Sequence, residues 1–202
     1  PESAFAAAAL FIAGSGATSS QDATPQRETF GGHGDFAGLV DIGGRPILWH
    51  VMKIYATYGH AQFILALGYQ AESVKRYFLD YGPMSYDITI RLGQGHGITY
   101  HQANGEEDWD VTLADTGVDT EKGSRVYRVA RHIEGDTFFV TYGEAVGDVN
   151  LEALLAFHRA HGRLATVTGV RPYSQYGIFD VDPFLKERGS TEKPLLDHWI
   201  NA

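Results

Sequence analysis

Phe63-Ile64-Leu65-Ala66-Leu67 is five apolar residues without a break. A strand with one wet face would alternate apolar with polar side chains. A short unbroken run is what a parallel strand covered on both faces requires. Helical patterns lie on both sides of it. Before it, Ile47, Leu48, Val51, Ile54 and Tyr55 recur at helical spacing between Pro46 and Tyr58. Pro46 suits the start of that helix, where its missing N–H removes nothing. After it, Ala71 to Tyr81 repeats the amphipathic pattern.

The same alternation continues outward. Ala6 to Ala13 reads as a buried strand, Thr137 to Thr141 as another, and Leu164 to Val170 as a β-branched third. Val126 to Ile133 reads as a helix or turn. Leu151 to His161 is a helix with Leu151, Leu154, Leu155 and Phe157 on one side. Strand–helix–strand order predicts an α/β fold: a mainly parallel central sheet with helices on both faces. A length of 202 residues suits one such domain, and the chain is read as a single domain over 1–202. It ends at Trp199-Ile200-Asn201-Ala202 without a terminating signal, so the expectation is a chain truncated at its C-terminus.

Composition removes several functional classes. The formal net charge is −9, which gains no counterion-release energy on a nucleic-acid backbone, so no nucleic-acid partner is expected. With no cysteine, disulfides and thiolate metal sites are excluded, and a cytoplasmic location is the expectation. No apolar run is long enough to span a bilayer, and no membrane partner is expected. The alanine-rich start has no Lys or Arg before it, so a buried first strand explains it better than a signal peptide does.

In such a sheet, ligands gather at the C-terminal ends of the strands. The loops to inspect are therefore 14–38, 68–70, 142–148 and 170–177. Gly14-Ser15-Gly16 could cradle phosphate on its backbone N–H groups, or be a flexible turn. Neither a third glycine at Rossmann spacing nor a P-loop lysine accompanies it. Glu144, in Tyr142-Gly143-Glu144, could hold Mg²⁺ through a carboxylate, with Asp148 four residues on, or stand in a solvated acidic loop. Glu192 and Lys193 pair a carboxylate with a cation suited to sugar hydroxyls and phosphate, or form an exposed charged turn. Lys122, Arg125 and Arg128 could hold a triphosphate, or line a solvated face. His158 and His161 lie three apart on a helix, more simply a helix surface than a zinc site.

Several longer segments resemble the glucose-1-phosphate cytidylyltransferases, a branch of the sugar-1-phosphate nucleotidyltransferase family. Asp41 to Tyr55, DIGGRPILWHVMKIY, is similar to that family's IGG(K/R)PILWHIMK-Y segment. Phe63 to Tyr69 resembles its second core strand, and DWDVTLADTG at 108–117 resembles W-VTLVDTG. FFVTYGEAVGD at 138–148 resembles F-FTYGDGVAD. FHRAHGRLATVTGVRP at 157–172 resembles FH-AHGK-ATVTAV-P, and Glu192-Lys193-Pro194 matches EKP.

The resemblance implies a Rossmann-like, glycosyltransferase A-like nucleotidyltransferase fold. It implies a reaction of CTP with glucose 1-phosphate, giving CDP-glucose and pyrophosphate, with Mg²⁺ as cofactor. It implies a homo-oligomer, hexameric by family habit. By position, Ala13, Gly14, Ser15 and Gly16 fall in the family's nucleotide loop. Thr120, Arg125 and Gly143 match nucleotide-binding positions, and Glu144 the metal position. Tyr176, Gly177, Glu192 and Lys193 match the sugar-phosphate site. Lys193 and Arg125 are the implied catalytic cations.

The resemblance breaks at the chemistry. The LAGG-GTRL loop is here Ile12 to Ser19 without its arginine, and the KPKP segment is replaced by a lysine-free stretch from Gln21 to Leu39. The metal aspartate is Glu144, and a second metal aspartate of the family falls beyond Ala202. A relative that binds nucleotide or sugar phosphate without turnover, or acts in regulation, is therefore the alternative.

Overall fold

The computed structural model describes residues 9–12, 37–93, 95–101 and 108–201. The chain divides into two compact units, residues 1–146 and 147–202.

The first unit opens on strand β1, Ala9–Ile12. After a 3₁₀ turn, Ala37–Leu39, a short hairpin follows, β2 (Asp41–Ile42) and β3 (Arg45–Pro46). Its two central residues, Gly43 and Gly44, have φ of 65° and 87°, the conformation that a tight hairpin turn demands and glycine supplies. The Gly44 N–H donates to Asp41 Oδ1 at 3.0 Å. Helix α1, Ile47–Thr57, starts directly after Pro46 and buries Leu48, Val51, Met52 and Tyr55. Strand β4 (Gln62–Leu67), helix α2 (Ala71–Leu79) and helix α3 (Tyr81–Ser85) follow. An antiparallel pair comes next, β5 (Asp87–Arg91) and β6 (Gly97–His101). Strand β7 (Asp110–Asp115), helix α4 (Lys122–Val129) and strand β8 (Phe139–Tyr142) complete the unit.

The central sheet has four strands in the order β7-β4-β1-β8, all parallel. Phe63 to Leu67 are each at most 3% exposed, as an interior strand covered on both faces requires. Ile64 and Ala66 join Ala114 and Val129 of α4 in one core layer, with Val126 and Phe138 packed against it. Phe63 faces the other way, its ring 5.3 Å from Trp109, which in turn meets Trp49 of α1 at 5.9 Å. Tyr55 of α1 packs edge-on against Phe139 on that side. Helices thus cover both faces, as the strand–helix alternation predicts. Each fully buried Val, Leu, Ile or Phe in these layers contributes about 1.5–3 kcal/mol.

The second unit begins with helix α5, Leu151–His161. Asn150 Oδ1 caps it by accepting from the Ala153 N–H at 2.9 Å, and Gly162 closes it at φ 63°. The remaining strands pair antiparallel: β9 (Gly169–Val170) with β12 (Ile200–Asn201), and β10 (Ile178–Val181) with β11 (Glu187–Thr191).

One expectation is corrected. The predicted strand from Leu164 to Val170 is reduced to Gly169–Val170. β-Branched composition favours a pleated surface, but a strand also needs a neighbouring edge. Residues 164–168 have no ladder partner among the described residues, and Leu164 is fully exposed. Conversely, Asp110–Asp115 forms the outer strand of the sheet, a role that the resemblance of its segment did not specify.

Candidate active site

Parallel strands β4, β7 and β8 end together on one edge of the sheet, the edge where an α/β fold places ligands. Their continuations are Gly68, the segment Thr116 to Thr120, and Gly143-Glu144. What holds the first two together is Arg125. The residue is 1% exposed. Nη1 donates to Leu67 O at 3.1 Å and to Thr116 Oγ1 at 2.7 Å, and Nη2 donates to Val118 O at 3.0 Å. Thr116, itself buried, donates its hydroxyl to Leu67 O at 2.7 Å and its N–H to the same carbonyl at 2.8 Å. Burial first, and the neighbouring Arg128 charge second, lower the Arg125 pKa, while Asp115 and Glu121 act in the opposite direction.

Arg125 is the residue that the resemblance assigns to the nucleotide. A cation meant to clamp triphosphate should face the ligand. Here it lies inside, bonded to two carbonyls and a hydroxyl, and it ties the ends of two strands to the loop between β7 and α4.

That loop has a second brace. Arg128 Nη1 donates to Thr116 O and, at 2.8 Å, to Thr120 Oγ1. The Thr120 hydroxyl also donates to Thr116 O. Gly117 sits beneath them at φ 85°, and a Cβ there would meet Thr120 Oγ1 at 3.0 Å and Arg128 Nη1 at 3.2 Å. The Gly117 N–H donates to Asp115 Oδ1 at 2.9 Å. The DTG triplet at 115–117 therefore builds a tight turn in which each residue has its own part.

Across the edge, Gly143 is buried and Glu144 exposed at the end of β8. Lys122, in the first turn of α4, places Nζ 5.0 Å over the Tyr142 ring. A hydrogen bond to Tyr142 leads the causes that raise the Lys122 pKa, followed by charge on Tyr142, Glu121 and Glu144. The ammonium is fully exposed and feels the charge of Glu144, the carboxylate expected to bind metal. Among the described residues no group of three His, Asp or Glu side chains converges on one point. A single exposed carboxylate fits Mg²⁺, which is commonly held by one or two carboxylates together with substrate phosphates.

In the second unit the structure brings together the four positions expected to bind sugar phosphate. Ser174 N donates to Pro194 O at 2.8 Å, and Ile178 is paired with Thr191. Between these ties, Tyr176-Gly177 runs opposite Glu192-Lys193. A Cβ on Gly177 would stand 3.0 Å from Glu192 Oε2. Lys193 has φ 45°, a left-handed conformation rare for a side-chain-bearing residue. All four are exposed. His158 Nδ1 and His161 Nε2 both bond to Thr166 Oγ1, at 2.8 and 2.7 Å, so these ring nitrogens are engaged with a hydroxyl.

Ala13, Gly14, Ser15 and Gly16 lie outside the described residues, as does most of the stretch from Gln21 to Leu39. Sequence reasoning pointed to the 68–70 loop without giving Gly68 a role, and it missed Thr116 as part of the site's frame. It grouped Lys122, Arg125 and Arg128 as one cluster, although they have three environments: exposed over a ring, buried on carbonyls, and folded against a threonine. The one available signal was the spacing of Arg125 and Arg128, which puts both on the side of α4 that meets the 116–120 loop.

No protein-family model matches the chain. It is 38% identical over 160 residues to a glucose-1-phosphate cytidylyltransferase of Salmonella typhi, an alignment covering 79% of this chain and 61% of the relative. It is 40% identical over 164 residues to a probable glucose-1-phosphate cytidylyltransferase of Bacillus subtilis (strain 168), covering 81% and 63%. The chain thus spans about three fifths of the length of these relatives. Its fold matches the crystal structure of HddC from Yersinia pseudotuberculosis complexed with GMP-PN, at TM-score 0.50 and 18% identity, over 93% of this chain and 69% of that one. The match confirms the predicted α/β architecture. No helix among the described residues is long and apolar enough to cross a membrane.

Proposed function

We propose that this chain, a relative of the glucose-1-phosphate cytidylyltransferases within the sugar-1-phosphate nucleotidyltransferase family, transfers a cytidylyl group from CTP to glucose 1-phosphate. The products are CDP-glucose and pyrophosphate. The observation that carries this reading is identity of 38–40% over about four fifths of the chain.

In this reading a phosphate oxygen of glucose 1-phosphate attacks the α-phosphorus of CTP. A P–O bond forms, the bond to the β-phosphate oxygen breaks, and pyrophosphate leaves with the electron pair. No covalent enzyme intermediate is needed, so the protein contributes positioning and charge. The loop 116–120, held by Arg125 and Arg128, supplies a rigid wall for the nucleotide through Thr120. Gly143, with no side chain, lets the nucleotide approach the end of β8. Lys122 offers an exposed cation beside it. Tyr176, Gly177, Glu192 and Lys193 take the sugar phosphate, Glu192 through hydroxyls and Lys193 through the phosphate. Glu144 would hold Mg²⁺, which when bound neutralises polyphosphate charge. A homo-oligomer in the cytoplasm belongs to this reading on kinship alone, and light scattering tests the first part of it.

A second reading, binding without turnover, is favoured by the interior position of Arg125 and by glutamate at 144. The deciding experiment is pyrophosphate release from CTP, UTP, dTTP or ATP with glucose 1-phosphate and Mg²⁺. Release with CTP alone supports the transferase. No release from folded protein that still binds CTP supports the second reading.

A further inference from the structure

The hydroxyl of Thr120 has a fixed hydrogen-bonding capacity: one proton to donate and two lone pairs to accept with. The proton is directed at Thr116 O. One lone pair receives Arg128 Nη1 at 2.8 Å. The same Nη1 reaches Thr116 O, so donor, hydroxyl and carbonyl form a closed triangle. Its base is anchored, because Thr116 is buried and donates to Leu67 O. Gly117 leaves the triangle room, since any side chain there would press on both Thr120 Oγ1 and Arg128 Nη1. Arg128 is exposed, so the arrangement is not a by-product of core packing.

Resting on the functional reading above, we infer that Arg128 is a positioning residue that turns Thr120 into an acceptor-only group facing the nucleoside. With its proton committed and one lone pair taken, Thr120 has one lone pair left. It can accept from a ligand N–H or O–H, and it cannot donate to a phosphate oxygen. The matching group is a hydrogen-bond donor of the nucleoside, either a ribose hydroxyl or an amino group on the base. A site built around such a bond discriminates strongly against a ligand that lacks the donor, because a polar group is then left unpaired.

The test compares CTP, 2′-deoxy-CTP, 3′-deoxy-CTP and UTP on the wild type and on Arg128→Ala, Arg128→Lys, Thr120→Val and the Arg128→Ala/Thr120→Val double variant. Arg128→Ala is expected to raise KM for CTP about tenfold, with kcat held within about twofold and an unchanged unfolding midpoint, and Arg128→Lys to recover part of the loss. The double variant is expected to be no worse than Thr120→Val alone. For the analogue that lacks the partner donor, the penalty of Thr120→Val should vanish; a deoxy analogue identifies a ribose hydroxyl, and UTP the base amine. Additive effects in the double variant, or an equal penalty across all four nucleotides, would overturn the inference while leaving the transferase reading intact. If CTP binds without turnover, Kd from calorimetry replaces KM and the same comparisons decide. If no nucleotide binds the wild type, both readings fall.

Discussion

Gly68 and Arg125 occupy complementary space: a Cβ at position 68 would stand 2.5 Å from Arg125 Nη1 and 2.9 Å from its Cζ. The guanidinium lies flat against the backbone where β4 ends, and only a residue without a side chain permits it. Because Nη1 is fixed by Leu67 O and Thr116 Oγ1, it cannot swing aside as a free side-chain end would. Gly68→Ala is therefore expected to destabilise the chain by about 1–3 kcal/mol, the range for overpacking a closed interior. Urea unfolding measures this; an unchanged midpoint would mean that the guanidinium has room to move.

Arg125 itself separates bracing from ligand contact. Arg125→Met keeps much of the volume but leaves Val118 O and Thr116 Oγ1 without their donor. A loss of about 1–3 kcal/mol is expected, chiefly from the buried Thr116 Oγ1 left without its donor, since Val118 is exposed and water can reach it. Arg125→Lys should rescue little, because one ammonium cannot span acceptors arranged for a fork. Full stability in Arg125→Met with weakened nucleotide binding would instead mean that the guanidinium turns outward to the ligand.

How far the sequence revealed this frame depended on what kind of force sets each part. The run from Phe63 to Leu67 declared a doubly covered parallel strand because burial is written in apolar composition. Helix α1 and helix α5 were legible for the same reason, through periodicity. The surroundings of Arg125 were not legible, because a buried guanidinium and a ligand-facing one look identical in sequence; the difference lies in three acceptors brought from positions 67, 116 and 118. The stretch 164–168 failed in the opposite direction, since β-branched residues announce a propensity and not a partner. Gly177 and Glu192 were named together only by resemblance, and their proximity depends on the ladder between residues 173 and 195, which no local pattern encodes.

His60 gives the fold a pH dependence of definite sign. Burial lowers its pKa from the usual 6.5, and its ring packs on Phe139 with centroids 5.0 Å apart. The unfolded chain therefore takes up the proton first as pH falls. Above about 6.5 the residue makes no pH-dependent contribution, and stability declines as pH drops below that value toward the folded pKa. With nine histidines in the chain, the measurement is a difference. Urea midpoints at pH 7.5 and 5.5 should fall further apart in the wild type than in His60→Gln. Equal spacing would mean that His60 is solvated well enough to titrate normally.

At Gly177, a Cβ 3.0 Å from Glu192 Oε2 asks the carboxylate to move by a few tenths of an ångström. Glu192 is exposed and flexible, so Gly177→Ala should barely change stability. It should raise KM for the sugar phosphate by about 3- to 10-fold and leave KM for CTP near its wild-type value, since displacement near a bound substrate is costly even when small. A change in the CTP constant alone would remove this pair from the sugar side of the site.

Glu144 offers the sharpest discrimination between turnover and binding. Its carboxylate is exposed at the end of β8 with Lys122 as electrostatic neighbour, and the resemblance places it where that family has the shorter aspartate. The extra methylene shifts the oxygens by roughly an ångström, a displacement that can change rate by about 10²-fold. If the chain is a transferase tuned to glutamate, Glu144→Asp should slow it as Glu144→Ala does, with KM for CTP nearly unchanged and a raised Mg²⁺ requirement. If glutamate is instead a step toward loss of catalysis, Glu144→Asp should increase pyrophosphate release above the wild-type level. Single-turnover assays across a Mg²⁺ series separate these outcomes. Equal rates in wild type, Glu144→Asp and Glu144→Ala would exclude Glu144 from metal binding.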